Sequence, residues 1–144
     1  MALPITLSEI APRISAGAFI LNSGLGKRAA DEGTAAGLHG FATGTYPFLK
    51  SVDPATFVKV LAYSEIAVGT ALLTPFVPTA VAGAALTGFS AGLLGLYLRT
   101  PAMRRGAKDL RPSPDGLVLS KDVWLLGAGL TMLVDGLESR KQKD

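Results

Sequence analysis

Residues 66–98 read IAVGTALLTPFVPTAVAGAALTGFSAGLLGLYL, a run of 33 residues without a single charge. As one helix this run measures about 50 Å, whereas the hydrocarbon core of a bilayer is about 30 Å thick. The run therefore has to fold back on itself. Thr74-Pro75-Phe76-Val77-Pro78 is the place, because each proline removes a backbone donor and clashes with the preceding turn. The expectation is a hairpin of two membrane helices, at 55–74 and 78–98. Asp53 is placed to cap the first arm, with Pro54 at its first helical position. The second arm ends at Arg99-Thr100-Pro101.

Working outward, two weaker apolar stretches flank this hairpin. Ile14 to Gly26 is uncharged but short. Thr6-Leu7-Ser8-Glu9 has the form of a capping box, which starts the helix near Leu7 and carries Arg13 inside it; this gives a span at 7–27. At the other end Val123 to Leu137 is opened by Ser120-Lys121-Asp122 and closed by Glu138-Ser139-Arg140-Lys141. Trp124-Leu125-Leu126-Gly127-Ala128-Gly129-Leu130 is apolar on every side, so it reads as a span at 121–138 rather than as a helix lying on the surface. The sequence thus predicts one all-α domain over residues 1–144, a four-helix transmembrane bundle. A short helix is expected at Thr34–Thr45 in the first connection. The second connection, Arg99 to Lys121, reads as an ordered start followed by an irregular, proline-containing loop.

Composition agrees with a membrane chain. Charged residues make up 17% of the sequence, against about 25% in soluble domains, and the mean hydropathy is +0.39. The net charge of +3 is carried by clusters between apolar runs, without aromatic interleaving, so nucleic acid is not the expected partner; the lipid bilayer is. Cysteine is absent, which excludes disulfides, thiol chemistry and iron–sulfur ligation. One histidine, His39, cannot supply a bis-histidine haem, and no metal site is expected. Gly24-Leu25-Gly26-Lys27 lacks phosphate-loop spacing, and no nucleophile–histidine set points to catalysis. The start of the chain lacks a basic segment followed by a cleavage site, so no secretory signal is expected.

Lys and Arg counts set the expected orientation. Lys27, Arg28, Lys50, Arg99, Arg104, Arg105, Lys108, Arg111 and Lys121 fall in the long connections, against Arg13, Arg140, Lys141 and Lys143 on the side of the termini. This predicts a multi-pass protein of the plasma (inner) membrane, with long connections in the cytoplasm and both termini outside.

Polar residues within the apolar segments are the candidate site. Glu65 lies about 15 Å along the second span, near the bilayer midplane, where an unpaired charge is costly. Arg13 is the expected partner, with Asp135 competing for it and Asn22 placed to hydrogen-bond across helices. Together with Lys27 these form an expected intramembrane polar network: Arg13, Asn22, Lys27, Glu65 and Asp135. Two readings of Glu65 stay open, a structural ion pair that sets helix register and a ligand or proton site, the former being the commoner fate of intramembrane charge. Lys59 and Tyr63 share a helix face, and Lys59 can snorkel to the boundary. His39 is a candidate loop site, and as a lone loop histidine it reads first as a local hydrogen-bonding group. Small residues recur on the third span at Ala80, Ala84, Gly88 and Gly92, and again at Gly83, Thr87, Ala91 and Gly95. Such rows let helices approach closely, inside the bundle or against other subunits or a second copy.

Three segments carry a resemblance to a known family. They are Arg13-Ile14-Ser15-Ala16-Gly17-Ala18-Phe19-Ile20-Leu21-Asn22-Ser23-Gly24-Leu25-Gly26-Lys27, the Glu65-Ile66-Ala67-Val68-Gly69 segment, and the proline turn into a Gly/Ala-rich third helix. Over roughly residues 10–98 the chain resembles the DoxX-like family of small four-helix membrane proteins. The resemblance implies that Arg13, Lys27 and Glu65 are the characteristic polar residues. It further implies association with quinone-linked or oxidative-stress complexes, with quinone as the one cofactor it brings in. The resulting expectation is a non-catalytic accessory subunit of a membrane-bound redox or respiratory complex. The alternatives are a small-solute or proton-coupled transporter using Glu65 and a quinone-interacting oxidoreductase subunit.

Overall fold

The computed structural model describes residues 5–142; Lys143, counted above on the side of the termini, lies outside them. The chain is mostly helical: α1 (Leu7–Lys27), α2 (Glu32–Thr45), α3 (Pro54–Leu73), α4 (Thr79–Arg99), a single helical turn α5 (Leu117–Ser120) and α6 (Asp122–Lys141). Three segments are long and apolar enough to cross a membrane: Pro54–Leu73, Thr79–Arg99 and Leu117–Lys141, the last formed by α5 and α6 together. The all-α, membrane-protein reading of the sequence thus holds. α1 is as long, at 21 residues, but carries Glu9, Arg13, Lys27 and an internal Pro12, and it is not among these three segments.

Local chemistry sets the helix ends. Asp53 accepts from the Thr56 amide and Pro54 opens α3, as the sequence predicts; Asp31 does the same for the Thr34 amide at the start of α2. At α1 the capping box differs from expectation. Thr6 occupies the cap position without a side-chain bond to the backbone, and its hydroxyl donates to Glu9 Oε1 at 3.1 Å. Glu9 thus turns one oxygen back to the Thr6 hydroxyl and the other across to α4, as described below. The turn Thr74–Pro78 ends α3 and restarts the chain as α4.

Packing follows two pairs rather than the hairpin. α1 lies along α3, and α4 lies along α6, both antiparallel, whereas α3 and α4 touch each other much less. Gly83 explains the second contact: a Cβ there would fall on the Leu133 amide and within 2.8 Å of the Met132 carbonyl carbon. Without a side chain the two backbones come together, and close packing replaces the hydrophobic drive that lipid cannot supply. The pairs share one apolar core, in which Ala16 and Ile20 of α1 and Leu72 of α3 meet Ala82 and Leu86 of α4 and Met132 of α6.

The second connection is a correction to the sequence reading. Instead of an irregular loop, a 3-10 turn at Pro101–Met103 leads into a two-stranded antiparallel hairpin, β1 (Arg104–Gly106) and β2 (Asp109–Pro112). The Tyr97 hydroxyl of α4 donates to the Leu110 carbonyl and ties the hairpin down. Arg105 Nε donates to the Pro112 carbonyl at 3.2 Å. In the first connection the short helix is present as α2, starting two residues earlier than expected, at Glu32.

Candidate functional site

Helix stagger decides which charges meet. Helices α1 and α3 with aligned centres would bring Ser15 and Ala16 level with Glu65. Instead Gly24 faces Glu65, with a Cβ at Gly24 falling 2.7 Å from the Ala62 carbonyl and 2.9 Å from Glu65 Cβ. The shift of about eight residues along α1, to residue 24, is about 12 Å at 1.5 Å per residue. It carries Arg13 away from Glu65 and brings Lys27 up to it. The expected Arg13–Glu65 pair is therefore replaced by Lys27–Glu65, with Lys27 Nζ 3.0 Å from each carboxylate oxygen. Lys27 Nζ also donates to Ser23 Oγ at 2.6 Å, one turn back on the same helix face. Glu65 is 4% exposed, so its charge has little water around it and depends on the lysine.

Arg13, 3% exposed, does different work at the opposite end of the α1–α3 contact. Its guanidinium sits under the α3–α4 turn. One terminal nitrogen donates to the Leu72 and Thr74 carbonyls, each at 3.3 Å; the other donates to the Val77 carbonyl at 2.9 Å and to Thr79 Oγ1 at 3.2 Å. A helix leaves its last four carbonyls without intrahelical partners, and a cation there also meets the negative end of the helix dipole. Only a planar fork of several donors reaches so many acceptors at once. Arg13 Nε lacks a hydrogen bond and lies 3.8 Å from Glu9 Oε2. That same oxygen accepts from the Thr79 hydroxyl at 2.5 Å. Glu9, Arg13 and Thr79 thus form a buried cluster joining α1, the turn and α4.

The expected five-residue network is in this way two separate clusters, and two of its members belong to neither. Asn22 is exposed on the outside of α1. Asp135 is half-buried on α6 and makes no hydrogen bond or ion pair among the described residues. Arg13 is already surrounded by acceptors nearer to it, so Asp135 has nothing to compete for. Glu9, which the sequence offers only as a capping-box residue, and Thr79 lie outside the expected network. The i, i+4 spacing of Glu9 and Arg13 was a readable signal for the first; Thr79 carried none.

His39 holds the first connection in place. Its Nε2 is 2.9 Å from the Leu49 carbonyl, and its ring meets Phe57 of α3 edge-on at 5.4 Å. Lys59 and Tyr63 point outward from α3. The two small-residue rows of α4 divide unevenly. Ala80, Gly83 and Thr87 face α6, and Gly95 faces the Tyr46 hydroxyl, whereas the space beside Gly88 and Gly92 is open.

At the surface, the Arg111 side chain and then its backbone amide hold the Asp109 carboxyl down at about 2, and Asp109 in turn raises Arg111. The cap hydrogen bonds from Thr34 and Thr56 lower Asp31 and Asp53.

Chemically, the Lys27–Glu65 pair is closed on itself, since both carboxylate oxygens are taken by the same ammonium. Two clefts of about 500 Å³ lie elsewhere. One is bordered by Glu9, Thr79 and Arg140 near the termini, and the other is apolar and lies under the β-hairpin. No three His, Asp or Glu side chains converge among the described residues. No family model, curated protein or solved structure matches the chain.

Proposed function

We propose that α1 joins the three apolar segments to make a four-helix transmembrane bundle, and that this bundle is a non-catalytic accessory subunit of a larger membrane assembly. One observation carries the reading: the charges Glu9, Arg13, Lys27 and Glu65 on α1 and α3 are all engaged by partners within the chain, which makes α1 tolerable in lipid and leaves none of these four free for turnover. On α4, Ala84, Gly88 and Ala91 are exposed, a smooth face on which a neighbouring subunit's helix can pack. That the assembly is a redox or respiratory complex rests on the DoxX-like resemblance of residues 10–98. The Lys and Arg distribution supports cytoplasmic long connections and termini on the outer side of a plasma (inner) membrane.

Purification in mild detergent tests this reading. Stoichiometric membrane partners should co-purify with the wild-type chain and be lost on Gly88→Leu, which fills the open α4 face while leaving the bundle intact. Recovery of a bare monomer from native membranes overturns it. Transport through Glu65 is a second reading, supported by the 24% exposure of the Lys27 side chain, which gives the pair a route to water. Glu65→Gln separates the two, because it abolishes transport but leaves an accessory role in place.

A further inference from the structure

The α4–α6 pair ends, on the side of the β-hairpin, in a surface that does not suit water. Leu110 is 67% exposed, Trp124 69% and Val118 75%, with Leu98, Leu117 and Val123 about half exposed. Between them runs the apolar cleft of about 500 Å³, bordered by Leu94, Tyr97, Leu110 and Trp124 among others, with Lys121 as its one cation. In β2, Leu110 and Pro112 line the cleft, while Arg111 between them points away and binds Asp109. From Arg99 to Lys121 there are six basic residues, Arg99, Arg104, Arg105, Lys108, Arg111 and Lys121, against two acids, Asp109 and Asp115. Asp109 is occupied by Arg111.

We propose that this cleft seats one anionic phospholipid, with its acyl chain along Leu98, Leu110 and Trp124 and its phosphate against Lys121. Three observations select a lipid over a protein partner. The cleft continues the outer faces of α4 and α6, which already face hydrocarbon if those helices span. A tryptophan, Trp124, stands in the first turn of α6, and indole rings collect at the headgroup level. Lys121 is the one cation that lines the cleft, and a lysine beside an anionic headgroup strengthens attachment by about fivefold. The proposal depends on α4 and α6 crossing the membrane, not on the accessory-subunit reading, and loss of partners would not affect it.

Trp124 is the sole tryptophan of the chain, so its fluorescence reports on the cleft directly. Full-length protein in phosphatidylcholine bilayers would be titrated with phosphatidylglycerol or phosphatidylcholine brominated near the headgroup end of the chain. The brominated phosphatidylglycerol should quench Trp124 at about fivefold lower mole fraction. Lys121→Gln should bring the two lipids to parity, and Lys121→Arg should keep the preference. Equal quenching by both lipids in wild type, or a preference that survives Lys121→Gln, overturns the site. Native mass spectrometry of the wild type from mixed-lipid detergent supplies a measurement independent of variants. Retained phosphatidylglycerol supports the proposal; equal retention of the two lipids, or none, refutes it.

Discussion

Lys27, the last residue of α1, holds both carboxylate oxygens of Glu65 at 3.0 Å from a backbone that stops about half-way along α3. The contact depends on Gly24, because any side chain there would push the two helices apart where the ammonium meets the carboxylate.

This geometry sets the outcome of single and double substitutions. Lys27→Met leaves Glu65 buried without a cation and should cost about 3–5 kcal/mol. Lys27→Met combined with Glu65→Leu should recover most of that loss, because a buried ion pair can be replaced by apolar groups at little cost. Unfolding in detergent for the single and double variants gives the coupling; simple additivity would show that the pair contributes nothing.

Arg13 makes a sharper demand on side-chain shape. Arg13→Lys keeps the charge but cannot reach the Leu72, Thr74 and Val77 carbonyls together. Arg13→Lys should therefore be destabilised almost as much as Arg13→Met, by about 3 kcal/mol or more. A thermal melt in which the lysine variant matched wild type would remove the turn-capping role.

Glycines facing neighbours should respond differently from those facing open space. Gly24→Leu forces α1 from α3 and should cost about 1–3 kcal/mol by overpacking, while also lengthening the Lys27–Glu65 contact. Gly88→Ala meets nothing within 4 Å and should leave stability unchanged or slightly raised, since alanine favours helix. Comparing the two in the same detergent checks the α1–α3 register directly.

Outside the helices, the Asp109–Arg111 contact gives the β-hairpin an acid limit. The Asp109 carboxyl is depressed to about 2 by Arg111. Its contribution is therefore complete above the ordinary aspartate value and declines as pH falls from there through about 2. Carboxyl-carbon NMR of Asp109 should titrate in that low range, and Arg111→Gln should move the midpoint up towards the ordinary value. An unchanged midpoint in Arg111→Gln would disprove the assignment.

The sequence announced the long helices because charge-free length and proline position are local signals. Asp53-Pro54 and Thr74–Pro78 state where α3 begins and ends. Inter-helix register has no such local signal. It is set by where Gly17, Gly24 and Gly69 let two backbones touch, and pairing Arg13 with Glu65 places Arg13 about three turns from its true level. Asn22 was misjudged for the related reason that its outward direction depends on the same register. The β-hairpin escaped notice because Arg104–Gly106 and Asp109–Pro112 are short and polar; its anchor, the Tyr97 hydroxyl, comes from a neighbouring helix.

The arrangement of α1 with α3 and α4 with α6 also bears on how the protein is made. Synthesis runs from the first pair to the second, and the chain divides between them into two halves joined at Phe76–Val77. Arg13 is the clasp between them, since it grips Leu72 and Thr74 on one side of that peptide and Val77 and Thr79 on the other. Halves expressed from separate messages and divided after Phe76 should find each other in the membrane and co-purify, and Arg13→Met in the first half should leave them as strangers.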